Sequence, residues 1–259
     1  MRGAPLKAAV VGHPIGHSQS PTIHGHWLEA TGIAGTYEAM DLHPDSFEAD
    51  IRKLVDQGFQ GVNATVPHKE VALAIADEVD DTARRIGASN TLVFRDGRIH
   101  AQNTDAFGFW QNLVPQLHGQ VQQRAVVLGA GGAARAVLVA LQDAGVGHVI
   151  LANRTHGRAT ALAEELADTA TIETLTWDDA EALLDQEAVD LIVNTSSRGM
   201  KGEHPITCAL AAQTPETVVN DIVYSPLQTA LLETAAARGC QTVDGLGMLL
   251  HQARPAFQA

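Results

Sequence analysis

Short apolar runs recur along the chain, separated by stretches with a different spacing. Runs at 8–11, 36–41, 61–66, 91–94, 98–101, 125–128, 148–152, 191–194 and 217–221 read as strands. Between them, apolar residues three or four positions apart predict helices at 71–79, 106–117, 133–144, 158–166 and 229–238. Strand and helix alternate almost from end to end, which predicts an α/β fold with mostly parallel sheets. Asp96-Gly97, between the runs at 91–94 and 98–101, is a hairpin signal, so an antiparallel excursion is expected there. The character changes near Asp105. Before it, the strand ends carry dense polar clusters; after it, a helix leads into a strand, a glycine-rich turn and another helix. Two α/β domains are therefore expected, the first over 1–105 and a nucleotide-binding one after it.

The glycine-rich turn reads Gly129-Ala130-Gly131-Gly132-Ala133-Ala134-Arg135 and follows a buried-strand run. Strand, tight turn and helix come in the order a dinucleotide site needs; the plain alternative is a glycine-rich turn with no ligand. Gly129 permits the turn and Gly131 lets the backbone approach a pyrophosphate. The helix start then offers free N–H groups and partial positive charge to the phosphates. Ala134 stands where the fingerprint's third glycine is usual. About 20 residues on, where NAD proteins place a carboxylate for the ribose 2′-hydroxyl, this chain has Asn153-Arg154-Thr155, with Arg158 one helical turn later. Guanidinium groups suit a 2′-phosphate, so NADP is the expected cofactor. The plain alternative is that both arginines are solvated surface charges.

Composition narrows the partners. A formal net charge of −13 argues against nucleic acid and anionic membranes, both of which need a basic surface. With 4% aromatic residues and 23 glycines, the chain suits close helix-on-sheet packing rather than an aromatic-rich sandwich. Its two cysteines make no disulfide framework, and the 12 histidines fall in no metal-binding pattern, His24 and His26 included. No metal is expected. No apolar run is long enough for a membrane span, and no leader pattern is read, so a cytoplasmic protein acting on a small molecule is expected. Monomer and homodimer stay equally open.

Four polar clusters mark strand ends in the first domain, where α/β sheets hold their ligands. Ser18 and Ser20, with Pro21 behind them, can turn two hydroxyls onto one anion; alternatively one of them is a helix N-cap. Asn63-Ala64-Thr65-Val66-Pro67-His68-Lys69 should set Lys69 at the head of a helix. Gly87-Ala88-Ser89-Asn90-Thr91 and Asn103-Thr104-Asp105 complete the set. Asp105 could cap the helix that follows it. A lysine held ionised by a carboxylate is also the acid/base that alcohol–ketone chemistry needs, which singles out Lys69 and Asp105.

These clusters, together with Asn194-Thr195-Ser196-Ser197-Arg198-Gly199-Met200, Asp221-Ile222-Val223-Tyr224-Ser225-Pro226 and the Gly245–Ala253 segment, resemble the successive signatures of the shikimate dehydrogenase family. The match runs in the family's order from about residue 8 to residue 253. The resemblance implies a substrate-binding domain with a mostly parallel sheet, over 1–105 plus 245–259, and a Rossmann-like NADP-binding domain over 106–244. It implies reversible reduction of 3-dehydroshikimate to shikimate with NADPH. By motif, Ser18 and Ser20 would bind the substrate carboxylate. Thr65, Asn90, Asp105 and Gln252 would hold ring hydroxyls, and Tyr224 would approach the substrate from the nucleotide side. Lys69 would be the general acid/base, paired with Asp105. Gly129 to Ala133, Asn153 to Thr155 and Arg158 would bind NADP, with Asn194, Thr195 and Ser196 on its ribose side and Gly247 and Met248 lining the nicotinamide pocket. A quinate/shikimate dehydrogenase, or a non-catalytic NADP-binding sensor of the same fold, is the alternative. Three departures stand out: Gly25 where the family usually has Asn, expected to weaken packing; Ser89 for a common valine, expected to add a polar group near the site; and a short C-terminal segment, expected as a shortened or frayed cap.

Overall fold

A computed structural model describes residues 4–117, 123–167 and 171–259. The chain forms two compact units, residues 1–104 with 252–259, and residues 105–251.

The first unit carries a six-stranded sheet in the order β2-β1-β3-β5-β6-β4. Its strands are β1 (Leu6–Gly12), β2 (Gly35–Asp41), β3 (Gly61–Ala64), β4 (Glu78–Val79), β5 (Thr91–Arg95) and β6 (Arg98–Gln102). β1 runs parallel to β2 and β3, β6 runs parallel to β4, and β5 is antiparallel to both β3 and β6. The hairpin is where Asp96-Gly97 predicts it, and both turn residues have positive φ. Helices α1 (Ser20–Thr31), α2 (Phe47–Asp56), α3 (Lys69–Ala74) and α4 (Asp81–Ile86) connect the strands. In α2, Phe47, Ile51 and Leu54 are buried, a spacing that presents one apolar face to the core around Val11, Val62 and Leu92.

The helix predicted over 71–79 is shorter than the pattern suggests. It ends at Ala74, and Glu78–Val79 pairs with β6 instead. The backbone of Asp77 and Asp80 bonds to the carbonyls of Ile99 and Ala101 at 2.9 and 3.0 Å. An exposed strand edge therefore captures a segment whose local periodicity fits a helix.

The second unit holds a fully parallel sheet in the order β12-β11-β10-β7-β8-β9. Its strands are β7 (Arg124–Leu128), β8 (His148–Asn153), β9 (Thr171–Thr176), β10 (Leu191–Asn194), β11 (Val218–Asp221) and β12 (Gln241–Val243). Chain order reverses between β7 and β10, which creates the switch point where such sheets bind dinucleotides. Its helices are α5 (Asp105–Leu113), α6 (Gly132–Asp143), α7 (His156–Glu165), α8 (Trp177–Gln186) and α9 (Ala230–Ala237). Ala125–Leu128 and Val149–Ala152 are fully buried, as strands covered on both faces must be. In α6, Ala134 and Ala136 through Leu141 are all buried. Alanine lets the helix approach its neighbours closely, so the alanine-rich composition is realised there.

The last helix, α10 (Leu246–Gln258), is shared: residues through His251 count with the second unit and those from Gln252 with the first. The expectation assigned the whole segment from 245 to the first. Nor is the C-terminus frayed. Phe257 packs its ring 5.8 Å from His24 and 5.5 Å from Trp27, both on α1.

Candidate active site

The polar clusters of the first unit converge through their own hydrogen bonds. β1 ends at Gly12, where a Cβ would lie 2.7 Å from the Thr65 methyl group and 2.8 Å from Ile15. Only glycine lets the serine loop lie against the loop after β3, and His13 N–H bonds to the Val66 carbonyl at 3.0 Å. Ser20 is the first residue of α1, with Pro21 in the first turn. The N-cap position falls to Gln19, whose side chain makes no capping bond, while Ser18 Oγ accepts the Ser20 N–H at 3.3 Å. Lys69 opens α3, and its carbonyl accepts the Ser89 N–H at 2.8 Å, tying the lysine's turn to the 87–91 segment.

Asn90 is the hub. Its Oδ1 accepts the Thr104 N–H at 2.9 Å, and its Nδ2 donates to Thr104 Oγ1 at 2.8 Å and to Gln252 Oε1 at 3.2 Å. Asn63 Nδ2 donates to the Asn90 carbonyl and to Thr91 Oγ1, and Tyr37 Oη donates to Asn63 Oδ1 at 2.6 Å. Burial pushes the Tyr37 phenol pKa upward, so it stays a donor. Asn103 donates to the Ala88 carbonyl at 2.8 Å. Asn90, Gln252, Thr104 and Asn63 thus arrive at one sheet end, with amide and hydroxyl groups held in fixed directions. Asp105 is buried at the first turn of α5, as a helix residue rather than a cap before it. Ser89 is fully enclosed and donates to the Thr91 and Gln102 carbonyls. Its hydroxyl serves the sheet end and does not add a free polar group. Gly25 is exposed and a Cβ there would meet nothing within 4 Å, so packing loses nothing at that position.

In the second unit, Gly129 follows β7 at φ +115, and a Cβ would lie 2.6 Å from Thr195 Oγ1 and 3.0 Å from Ser196 N. The turn and the loop after β10 therefore touch only because glycine stands there. At Gly131 a Cβ would meet nothing within 4 Å, so the backbone at the start of α6 is open to a ligand. Ala130 is buried, while Gly132 and Ala133 begin the helix. Asn153 ends β8 and donates to the Thr155 carbonyl at 2.9 Å; Arg154 and Arg158 are exposed. Arg135 differs, pairing with Glu165 at 2.5 Å. A helix N-terminus without a side-chain cap and two exposed guanidiniums beyond the next strand, with no carboxylate at 153–155, fit a dinucleotide carrying a 2′-phosphate.

Family models match residues 10–92 (shikimate dehydrogenase substrate binding domain) and 112–223 (shikimate/quinate 5-dehydrogenase). The chain belongs to the shikimate dehydrogenase family. It is 51% identical to a shikimate dehydrogenase (NADP(+)) of Methylobacterium radiotolerans, over all of this chain and 92% of the relative. The shikimate dehydrogenase of Aquifex aeolicus superposes with a TM-score of 0.88 at 35% identity, covering 100% of this chain and 93% of that one. The Thermus thermophilus shikimate 5-dehydrogenase in complex with NADP(H) and shikimate gives 0.84 at 39% identity, covering 98% and 92%.

Thr195 donates to the Leu128 carbonyl at 3.0 Å, and Ser196 Oγ donates to Asn194 Oδ1 at 2.7 Å. Asn194 itself is fully buried, and its amide also reaches the Arg198 carbonyl and Asp221. Its bonds run inside the protein. Tyr224 is half-buried in the loop after β11. Gly247 lies against α5: a Cβ there would clash with Asn112, whose Nδ2 donates to the Asp244 carbonyl at 2.7 Å. Met248 is buried one residue on. Sequence reasoning gave no role to Asn63, Thr104, Asn112 or Asp221. A usable signal existed for Asn63 and Asp221, since each is a polar residue at or next to the end of a short apolar strand, where burial demands partners. Among the described residues no helix is long and apolar enough to cross a membrane, and no group of three or more His, Cys, Asp or Glu could hold a metal.

Proposed function

We propose that the protein catalyses the NADP(H)-dependent, reversible reduction of 3-dehydroshikimate to shikimate, a step of aromatic amino-acid biosynthesis. The observation that carries this reading is the web centred on Asn90, which directs hydroxyl and amide groups from four segments to one sheet end beside the Lys69 turn. A polyhydroxylated ring needs such a set of fixed donors and acceptors.

In this reading residues 1–105 and the chain's end bind substrate and residues 106–244 bind NADP. Ser18 and Ser20 take the substrate carboxylate. Thr65, Asn90, Asp105 and Gln252 take ring hydroxyls, and Tyr224 approaches the substrate from the nucleotide side. The cofactor supplies the hydride. Lys69 delivers a proton to the carbonyl oxygen as it becomes an alcohol, and its ammonium charge stabilises the oxyanion while it develops. Asp105 keeps that lysine charged and oriented. Gly129 to Ala133 receive the pyrophosphate; Asn153, Arg154, Thr155 and Arg158 receive the adenosine 2′-phosphate. Thr195, Ser196, Gly247 and Met248 line the nicotinamide half, with Asn194 setting the direction of that loop from within.

The test is NADP+ reduction followed at 340 nm with shikimate, then with quinate, and each again with NAD+. Shikimate with NADP+ should give the highest kcat/KM. Turnover confined to quinate and NAD+ would replace this reading with that of a quinate dehydrogenase.

A further inference from the structure

Beneath the loops assigned to cofactor and Tyr224 lies a buried carboxylate that the chemistry does not use. Asp221 ends β11 and is fully enclosed. Its Oδ1 accepts the Asn194 Nδ2 at 2.9 Å and the Val223 N–H at 3.0 Å; its Oδ2 accepts the Thr229 hydroxyl at 2.7 Å. Asn194 ends β10, Val223 belongs to the loop carrying Tyr224, and Thr229 caps α9 by accepting the Leu232 N–H. Around this centre, Asn194 also holds Ser196 and the Arg198 carbonyl, and Lys201 N–H bonds to the Ser225 carbonyl at 3.2 Å. Gly199, at φ +91, brings its backbone against Thr229; a Cβ there would lie 3.4 Å from the Thr229 side chain and 3.8 Å from Asp221 Oδ2.

We infer that Asp221 is a positioning residue, an acceptor-only centre that locks the 195–200 and 222–229 loops in the shape that receives the cofactor. The inference rests on the dehydrogenase reading for the use of those loops. Three donors from three segments converge on one side chain, and a carboxylate accepts from all three without offering a hydrogen of its own. An amide in its place would aim N–H groups into a pocket already lined with donors. Burial pushes the Asp221 carboxyl pKa upward, against the hydrogen bonds that lower it. Burial thus works against the ionised form that the three donors favour, as expected of a group retained for geometry rather than for folding.

The experiment compares Asp221→Asn, Thr229→Val and Thr229→Ser with the wild type. The readouts are melting temperature, calorimetric Kd for NADP+, and KM and kcat with shikimate. Whatever its melting temperature, folded Asp221→Asn should show Kd and KM for NADP+ raised about tenfold, the loss of one hydrogen bond to a charged group. Thr229→Val should weaken NADP+ in the same direction, and Thr229→Ser, which keeps the hydroxyl, should restore wild-type values. Kd and KM within about twofold of wild type in both Asp221→Asn and Thr229→Val would overturn the inference. So would activity lost only in proportion to the unfolded fraction, at unchanged Kd. If Asp221→Asn does not fold, the two Thr229 variants decide. A wild type that binds NADP+ without oxidising shikimate would defeat the dehydrogenase reading, while the Kd comparison still tests Asp221.

Discussion

Lys69 and Arg154 carry the two residue-scale claims that mutation separates most cleanly. Lys69→Ala removes a contact needed mainly as charge develops on the oxygen, so kcat should fall by roughly 10²–10⁴-fold while shikimate affinity changes far less. Steady-state kinetics with a direct shikimate binding measurement checks this, and a near-normal kcat would remove Lys69 from the chemistry. Arg154 is exposed beside Asn153, with no carboxylate in that turn to repel a 2′-phosphate. Arg154→Ala should raise KM for NADP+ by about tenfold, one charge-assisted contact discounted for solvent, and leave KM for NAD+ nearly unchanged. A cofactor ratio that does not move would show the guanidinium to be an ordinary surface charge.

At the scale of elements, two glycines predict opposite outcomes for one substitution. Gly25 lies in α1, exposed, with open space around its Cα. Gly25→Ala adds helix propensity without a clash and should stabilise the protein by about 0.5–1 kcal/mol. Gly129 combines φ +115 with Thr195 Oγ1 2.6 Å from a would-be Cβ. Gly129→Ala should destabilise by about 1–3 kcal/mol and weaken NADP+ binding, because relief of the clash displaces the loop after β10. Thermal melts with and without NADP+ test both. The short β4 makes the converse point: periodicity alone favours helix over 71–79, but an open sheet edge beside Glu78–Val79 offers backbone partners that a lone helical turn cannot match.

At the scale of the molecule, the chain's end is secured by an aromatic cluster within the first unit. His24 is buried, stacked 4.0 Å from Tyr37 at 7°, with Trp27 and Phe257 around it. Burial lowers its pKa from 6.5 to about 4. The folded state therefore binds this proton less readily than the unfolded chain. Its contribution to stability is fully present above pH 6.5 and is lost as pH falls through that value toward 4, reaching about 3 kcal/mol. The melting temperature should decline across that window, and His24→Phe should flatten this part of the decline. An equal slope in wild type and variant would mean that other groups govern acid stability.

The sequence by itself determined the local alternation of strand and helix, the Asp96-Gly97 hairpin and the strand–turn–helix of Gly129–Arg135. Each follows from residues adjacent along the chain, through side-chain period or backbone freedom. It also determined the family, because the polar clusters fall in a specific order. Only the tertiary structure decided which of those polar residues meet. Asn90 gains Gln252 from 162 positions away, Asp221 gathers Asn194 and Thr229 beneath two loops, and Asn112 locks against Gly247. Such contacts depend on crossovers that bring distant strand ends together, and no local periodicity records them. Burial decided the rest: a polar residue ending a strand becomes a hub or a surface group according to what packs over it.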